Sequence, residues 1–218
     1  MISPKYFAFF AALEKNNNKE WFDAHRSEYE QHVKEPFRAV VETLIERIQA
    51  VEPTLHVAAK DVMYRINKDI RFSKDKAPYK THLAAHINTR GKKAMGYPGF
   101  YFEISAKGAA AAGGVYMPSK EELANVRDLI QHEGDALKQL LRAKNFVHFY
   151  GEIQGERNKV LPAEFRDAAR IDPLIANKQF YYWANIPKSA LPTNAADTLF
   201  EYYKAAKPVN DFFAKAFE

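Results

Sequence analysis

The sequence contains no cysteine, which excludes disulfide bonds, cysteine nucleophiles and thiolate metal sites. It also lacks any run of about 20 apolar residues, the length that a membrane-spanning helix needs. The first residues show no basic stretch followed by an apolar one, the pattern typical of a secretory signal. We therefore expect a cytoplasmic protein that does not use a membrane.

Apolar and aromatic side chains are abundant, at 47% and 14% of the 218 residues. A chain of this length and composition can bury a sizeable core, so we expect a folded globular protein rather than a disordered one. No linker or internal repeat divides the sequence. We therefore expect a single domain over residues 1–218, helical at 3–52, sheet-rich at 61–118 and helical or mixed at 119–218.

The order of the predicted elements favours the α+β class, because helices come first, strands follow and helices return. We expect a central antiparallel sheet of about four to six strands, flanked by N-terminal, middle and C-terminal helices. Alternating or apolar runs predict strands at 62–66, 79–87, 99–105 and 113–117, with further edge strands at 146–150 and 180–186. The Gly/Ala tract 108–114 is predicted to be the hairpin turn before the fourth strand.

Capping residues, glycine and proline set the limits of the predicted helices, which lie at 3–14, 19–50, 119–133 and 193–217. Pro36 is expected to break the second helix and Pro208 to interrupt the last, because proline has no N–H to donate. A capping box begins the third helix at Ser119, and Gly134 is expected to end it. A further helix is expected to follow, carrying Leu137, Leu140 and Leu141.

The positive charge of the chain is concentrated in one segment. The whole protein carries a formal net charge of +5. Residues 60–93 alone hold ten basic and three acidic side chains, a net charge of +7, so the remainder is slightly negative. Such a local excess favours an anionic partner that docks at one place.

The densest part of this segment is the motif from Asp69 to His82, which is too polar and too interrupted by turn residues to be a regular element. It contains four bases that can bind phosphate or carboxylate, Arg71, Lys74, Lys76 and Lys80. Arg65 precedes the motif in a predicted strand. The alternative is a structural latch, in which Asp69 and Asp75 hold Arg71 and Lys76 in place.

Two residues are candidates for acid–base chemistry, His82 and Glu103. Strand alternation places Glu103 on an outward face and His82 on the same face as Lys80, and with Tyr79 and Arg65 they could form a catalytic group. The alternative is the charged solvent face of a one-sided sheet. His82 and His86 would lie about 13 Å apart along a strand at about 3.3 Å per residue, too far to share a metal ion. We therefore predict no metal site and no cofactor.

The chain resembles the DUF2461 family of bacterial and fungal proteins, a family without an assigned function. The resemblance covers residues 3–186 and rests on matching residues in four places: Asn16–Asn17 with Trp21–Asp23 and Tyr29; Tyr64–Ile66 with 69–80; Gly113–Pro118; and Leu123 with Arg127. It implies that residues 69–79 act as one unit and adds Arg127 to the candidates, but it implies no reaction. The predicted ligand-binding residues are Arg65, Asp69, Arg71, Lys74, Lys76, Tyr79, Lys80 and Arg127.

Three hypotheses remain open from the sequence. The first is binding of an anionic ligand, a small molecule or a nucleotide or nucleic acid, with Tyr79 or Phe72 stacked on a base. The second is an enzyme that acts on a small phosphorylated or carboxylated metabolite, with His82 or Glu103 as acid or base. The third is a structural or interaction protein in which the motif is a salt-bridge latch.

Overall fold

The computed structural model describes residues 1–71, 73–191 and 194–218. Its contacts define two compact units. The first unit comprises Met1–Lys92, Tyr101–Ala111 and Asn185–Glu201, and the second comprises Lys93–Phe100, Ala112–Ala184 and Tyr202–Glu218. The single domain over 1–218 stays a prediction.

The four strands of the described chain form one antiparallel sheet in the order β1-β2-β3-β4. The strands are β1 His82–Ile87, β2 Phe100–Ser105, β3 Gly108–Val115 and β4 Phe180–Pro187. Each strand pairs with the next one along the chain, which is the simplest antiparallel topology. The α+β class and the expected range of strand number are confirmed.

The helices of the first unit are α1 Pro4–Lys15, α2 Lys19–Ala24, α3 Arg26–Tyr29, α4 Glu35–Val51 and α5 Ala59–Val62. A π-helical turn at Glu30–Lys34 joins α3 to α4. Pro36 comes two residues after this π-helical turn, and its missing N–H leaves a carbonyl of the preceding turn without its usual partner, which accounts for the irregularity just before the proline. The core of this unit is aromatic, with Phe37 of α4 packed on Phe102 of β2 at 5.5 Å between ring centroids.

The second unit contains α6 Lys120–Arg142, α7 Lys144–Tyr150 and α8 Ala168–Ile171. The last long helix, α9 Ala195–Ala214, begins in the first unit and ends in the second. Short 3-10 turns occur at Ala163–Phe165, Pro173–Ala176, Lys188–Ala190 and Lys215–Phe217. The capping box at Ser119 is confirmed, since its hydroxyl accepts from the amide of Glu122 at 3.2 Å.

The predicted break near Gly134 and the second helix beyond it are confirmed, because the backbone of Glu133 is non-helical and helix continues from there to Arg142. Another predicted break is wrong. Pro208 does not interrupt α9. Thr193, the predicted start of the last helix, lies outside the described residues.

Three predicted strand features are also wrong. The helix α5 occupies the chain up to Val62, and beyond it Met63 and Asn67 form only single bridges, to Ala85 and Tyr79. Residues 146–150 are helical, because a short apolar run fits a buried helix as well as a strand. The Gly/Ala tract 108–114 is not a turn but most of β3.

Close neighbours explain why β3 consists of small residues. A Cβ atom at Gly113 would lie 2.5 Å from the hydroxyl oxygen of Tyr182. Gly114 has a φ of +85°, and a Cβ there would collide with the carbonyl oxygen of Phe180. Its amide donates to the buried side chain of Asn210 at 2.8 Å. Composition alone favours a turn here, whereas packing against β4 requires glycine at these two positions of a strand.

A comparison of two glycines with positive φ distinguishes the energetic cost of backbone strain from that of steric collision. Gly91 has a φ of +80° and open space around its missing Cβ, whereas Gly114 has a similar φ and no space. We expect Gly91→Ala to lower the free energy of unfolding by about 1–2 kcal/mol, the cost of a left-handed backbone, and Gly114→Ala to lower it by clearly more. Urea unfolding measures both. Equal losses would contradict the role given to packing against β4.

Candidate functional site

The basic motif closes a two-stranded ribbon that extends β1. The amide of Lys68 donates to the carbonyl of Pro78 at 2.9 Å, and the amide of Lys80 donates to the carbonyl of Ile66 at 2.8 Å. Nearer to β1, the amide of Tyr64 donates to the carbonyl of Ala84 at 2.9 Å. We call residues 63–68 and 78–85 the ribbon, and residues 69–77 the closing loop.

Both acidic side chains of the closing loop are engaged with bases. Asp69 accepts two hydrogen bonds from Arg71, at 2.9 and 2.6 Å, which lower the pKa of the carboxyl. Asp75 accepts from Lys68 at 2.8 Å, and this bond lowers its pKa in the same way. The predicted Asp69–Arg71 pair is confirmed, but Asp75 pairs with Lys68 rather than Lys76. Lys76 donates instead to the carbonyl of Ile70 at 3.1 Å.

An asparagine and a phenylalanine of the N-terminal helices anchor the ribbon at Tyr79. The side chain of Asn17 donates to the Tyr79 carbonyl at 2.9 Å and accepts from the Tyr79 amide at 3.1 Å. The Tyr79 ring stacks on Phe22, with centroids 4.0 Å apart. The side chain is 5% exposed, so Tyr79 holds the ribbon and offers no open face to a nucleobase. Phe72, the other predicted stacking residue, lies outside the described residues.

A group of polar side chains gathers where the ribbon meets β2. We call this group the ribbon-base cluster; it consists of Tyr64, Lys80, His82, Tyr101 and Glu103. Phe100, Phe102 and Ile104 of β2 point into the core, so alternation turns Tyr101 and Glu103 to the other, half-buried face.

The carboxylate of Glu103 is the centre of this cluster. Its Oε2 accepts from the hydroxyl of Tyr101 at 2.6 Å and lies 3.6 Å from Nε2 of His82. Lys80 lies above the ring of Tyr64, with its Nζ 5.1 Å from the ring centroid. The Tyr64 hydroxyl donates to the carbonyl of Lys92 at 2.7 Å, which fixes the ring.

Burial disfavours the protonated form of both basic groups in the cluster. Burial and then the nearby Arg65 lower the pKa of Lys80, and the carboxylate of Glu103 opposes them. Burial also lowers the pKa of His82, against the same carboxylate. Lys80 and Lys68 lower the pKa of His82 further. Among the described residues, no carboxylate oxygen lies within 4 Å of the Lys80 ammonium.

The structure brings together part of the predicted site. His82 and Glu103 lie 3.6 Å apart, as the predicted acid–base group requires, and Arg65 is exposed in the ribbon. Lys74 is exposed in the closing loop, with no ion pair in the described part of the chain. Sequence reasoning missed Tyr64 and Tyr101, although Tyr101 stands two residues before Glu103 and so shares its face.

Arg127 lies in the second unit, where its environment differs from that of the loop bases. Its side chain is 3% exposed and donates to the carbonyl of Asn177 at 3.0 Å. The guanidinium lies over the ring of Phe165, 5.8 Å from the centroid, and burial lowers its pKa. These contacts describe an arginine that ties α6 to the segment around Asn177.

His86 is a buried neutral histidine. It is 7% exposed, its Nδ1 lies 3.2 Å from the side-chain nitrogen of Asn88, and burial lowers its pKa to about 4. In the described ranges, no three His, Asp or Glu side chains approach closely enough to hold a metal ion. Nor does any described helix have the length and hydropathy to cross a membrane.

The comparison with known families covers nearly the whole chain. A family model described as a conserved hypothetical protein (DUF2461) matches residues 5–212. The matched range includes the ribbon, the closing loop and every member of the ribbon-base cluster. No curated protein matches the chain.

The anchor at Tyr79 makes a prediction about stability. Asn17→Ala removes two hydrogen bonds to a buried backbone and should lower the free energy of unfolding by about 1–3 kcal/mol. Hydrogen exchange at the amides of Lys68 and Lys80 should quicken. Asn16→Ala is the control, since Asn16 is exposed and its side chain donates only to its own helix, at Ala12. Equal effects of the two substitutions would contradict the anchor.

The buried imidazole of His86 makes a prediction about pH. Its pKa in the folded protein, about 4, is below the ordinary value of 6.5, so the folded state binds fewer protons than the unfolded state. The free energy of unfolding should therefore fall between pH 6.5 and pH 4, with about 3 kcal/mol from this group. His86→Gln should flatten the profile, and His132→Gln at an exposed site should not. Urea unfolding at several pH values checks both, and parallel profiles would refute the assignment.

Proposed function

The chain belongs to the DUF2461 family, whose description assigns no reaction, and we propose that it binds a small anionic ligand at the ribbon-base cluster. The ligand carries a phosphate or a carboxylate group. Arg65 and Lys80 supply the positive charge, and Glu103 with Tyr101 orients the imidazole of His82.

The observation that carries this proposal is the environment of Lys80. A half-buried ammonium without a carboxylate within 4 Å is incompletely compensated, because burial removes water and the ring of Tyr64 replaces only part of its effect. An anion that bound beside Lys80 would restore the missing charge. The direction of the pKa shift agrees, since burial and Arg65 both disfavour the charged form of Lys80.

The closing loop has a different role in this proposal. Arg71 and Lys68 are already paired with Asp69 and Asp75, as a structural latch requires. The exposed Lys74 and Lys76 act at longer range, over the Debye length of about 8 Å at physiological salt. They raise the local concentration of anions, whereas Lys80 and Arg65 determine affinity.

A small anion fits the cluster better than a nucleic acid does. Binding of a single strand usually combines a basic groove with exposed aromatic rings on which bases stack. Tyr79 is buried against Phe22, and Tyr64 faces Lys80. An oligonucleotide that bound far more tightly than phosphate, with a steep dependence on salt, would contradict the small-ligand proposal.

A second candidate function is acid–base catalysis on the bound ligand. It is favoured by the row formed by Tyr101, Glu103 and His82, in which a carboxylate held by a hydroxyl lies 3.6 Å from an imidazole. NMR spectra of phosphorylated and carboxylated metabolites, incubated with the protein, would reveal turnover. Glu103→Gln is the control, because it keeps the shape of the side chain and removes the charge.

Binding can be tested with inorganic phosphate. Phosphate at about 100 times its dissociation constant should raise the free energy of unfolding by about 2.7 kcal/mol, whereas sodium chloride at equal ionic strength should not. Lys80→Gln should weaken binding by about tenfold or more, which corresponds to about 1.4 kcal/mol. Calorimetry and thermal melts give both quantities.

Lys74→Gln is the matched control, since it removes the same charge from an exposed site in the closing loop. The proposal expects it to retain most of the affinity for phosphate. If both substitutions weakened binding equally, the binding site would not be centred on Lys80. If chloride stabilised the protein as much as phosphate did, there would be no specific site.

A further inference from the structure

Arg127 is a buried base of the second unit without an acidic partner. It is 3% exposed, its Nη2 donates to the carbonyl of Asn177 at 3.0 Å, and its guanidinium lies over the ring of Phe165. Within residues 1–71, 73–191 and 194–218, no carboxylate oxygen lies within 4 Å of it and nothing accepts from its Nε. Arginine is almost never fully buried unless it is paired. The described chain therefore leaves the charge of Arg127 uncompensated.

Asn177 contributes an acceptor that also lacks a partner. It is 2% exposed and follows the 3-10 turn Pro173–Ala176. Both of its backbone groups are used, since its amide donates to the carbonyl of Leu174 at 2.9 Å and its carbonyl accepts from Arg127. Its Oδ1 is buried, and no donor among the described residues reaches it. An unmatched donor, Nε–H, and an unmatched acceptor, Oδ1, thus belong to two buried residues in direct contact.

The backbone at Gly155 encloses this pair. A Cβ atom at Gly155 would lie 3.2 Å from Nδ2 of Asn177 and 2.1 Å from the carbonyl oxygen of Gln179, so only glycine lets the chain pass so close. The next residue is held in place, because the amide of Lys178 donates to the carbonyl of Glu156 at 2.7 Å. Little room remains beside Asn177, so a ligand at this place must be small.

A water molecule would satisfy only half of this arrangement. It can accept from Nε and donate to Oδ1, as buried waters commonly do, but it is neutral and leaves the charge of Arg127 unpaired. A simple carboxylate satisfies only the other half, because it pairs with a guanidinium through two parallel hydrogen bonds and brings no donor for Asn177. The group that matches both residues is an anion with one O–H.

We propose that Arg127 and Asn177 form a second binding site, for a small carboxylate that carries an O–H group, with hydrogencarbonate as the smallest member of this class. The carboxylate oxygens accept from Nε and from the remaining hydrogen of Nη2, and the O–H donates to Oδ1 of Asn177. The site is separate from the ribbon-base cluster, whose members all belong to the first unit. Arg127, predicted from the sequence to bind a ligand, then binds an anion without the bases of the closing loop.

Titration of the full chain with sodium hydrogencarbonate tests the site. The protein is first dialysed against carbonate-free buffer, and calorimetry with thermal melts then gives the dissociation constant. Nitrate is the matched ion, because it has the same charge, planar shape and number of heavy atoms but no O–H. Hydrogencarbonate should bind about tenfold more tightly than nitrate or more, which corresponds to about 1.4 kcal/mol. Acetate, a carboxylate without O–H, should also bind more weakly.

Glycolate, a carboxylate with its O–H on the next carbon, distinguishes two sources of the same chemistry. Tighter binding of hydrogencarbonate assigns the site to the inorganic ion, and tighter binding of glycolate assigns it to a small 2-hydroxy acid. Equal affinities for all four ions would overturn the role of Asn177 as an acceptor. If none of the four bound, the pair would hold only water and the proposal would be refuted.

Asn177→Asp tests the site from within the chain, because it places a carboxylate beside the guanidinium with almost no change of size. The circular dichroism spectrum should be unchanged, and the affinity for hydrogencarbonate should fall about tenfold or more. Asn145→Asp is the matched control, since it makes the same change at an exposed position of α7. If Asn177→Asp bound hydrogencarbonate as the unsubstituted chain does, the site would be refuted. If it did not fold, the comparison of ions in the unsubstituted chain would still decide.

Lys80→Gln separates this inference from the proposed function. It should keep its affinity for hydrogencarbonate, because Lys80 is not part of the second site. If Lys80→Gln abolished this binding and Asn177→Asp did not, the ion would occupy the ribbon-base cluster, and only the second site would be refuted. If phosphate failed to bind through Lys80 while hydrogencarbonate bound through Asn177, the proposed function would be refuted and the second site would stand.

Discussion

The pair of hydrogen bonds between the Asn17 side chain and the Tyr79 backbone is the constraint on which the candidate site depends. The amide group of Asn17 takes the place of a neighbouring strand, because it satisfies both the N–H and the C=O of Tyr79. The stack with Phe22 then fixes the ring in the core. Since successive residues of an extended chain face opposite ways, anchoring Tyr79 inward turns Lys80 toward the ribbon-base cluster.

The same alternation organises β2 and gives the cluster its charge. One face of β2 contributes Phe102 and Ile104 to the core, and the other presents Tyr101 and Glu103. The ribbon lays Lys80 and His82 beside that second face, where the carboxylate of Glu103 acts on both. The closing loop is different, because each of its acids has a base of its own. Positive charge without an ion pair in the described residues therefore occurs in two places, on the exposed Lys74 and Lys76 of the loop and on the half-buried Lys80.

Much of this arrangement could be predicted from local pattern, and the rest depended on distant contacts. Alternating and apolar runs were enough to find β2 and β4 and to name His82 and Glu103 as candidates for one site. The partner of Tyr79 could not be found in this way, because Asn17 lies 62 positions earlier in the chain. The Gly/Ala tract was wrongly predicted to be a turn for a similar reason, since the close approach of Tyr182 and Phe180 explains why β3 has glycine at 113 and 114. Propensity is a weak guide where packing decides.

The anchor and the closing loop respond to different solution conditions. Hydrogen bonds between neutral amide groups hold the ribbon at Tyr79, and neither salt nor acid weakens them directly. The ion pairs of the closing loop are exposed, so added salt screens them. Ionic strength can therefore loosen the loop while the register of Lys80 stays the same. The rate at which a ligand enters and the strength with which it is held are thus under separate physical control.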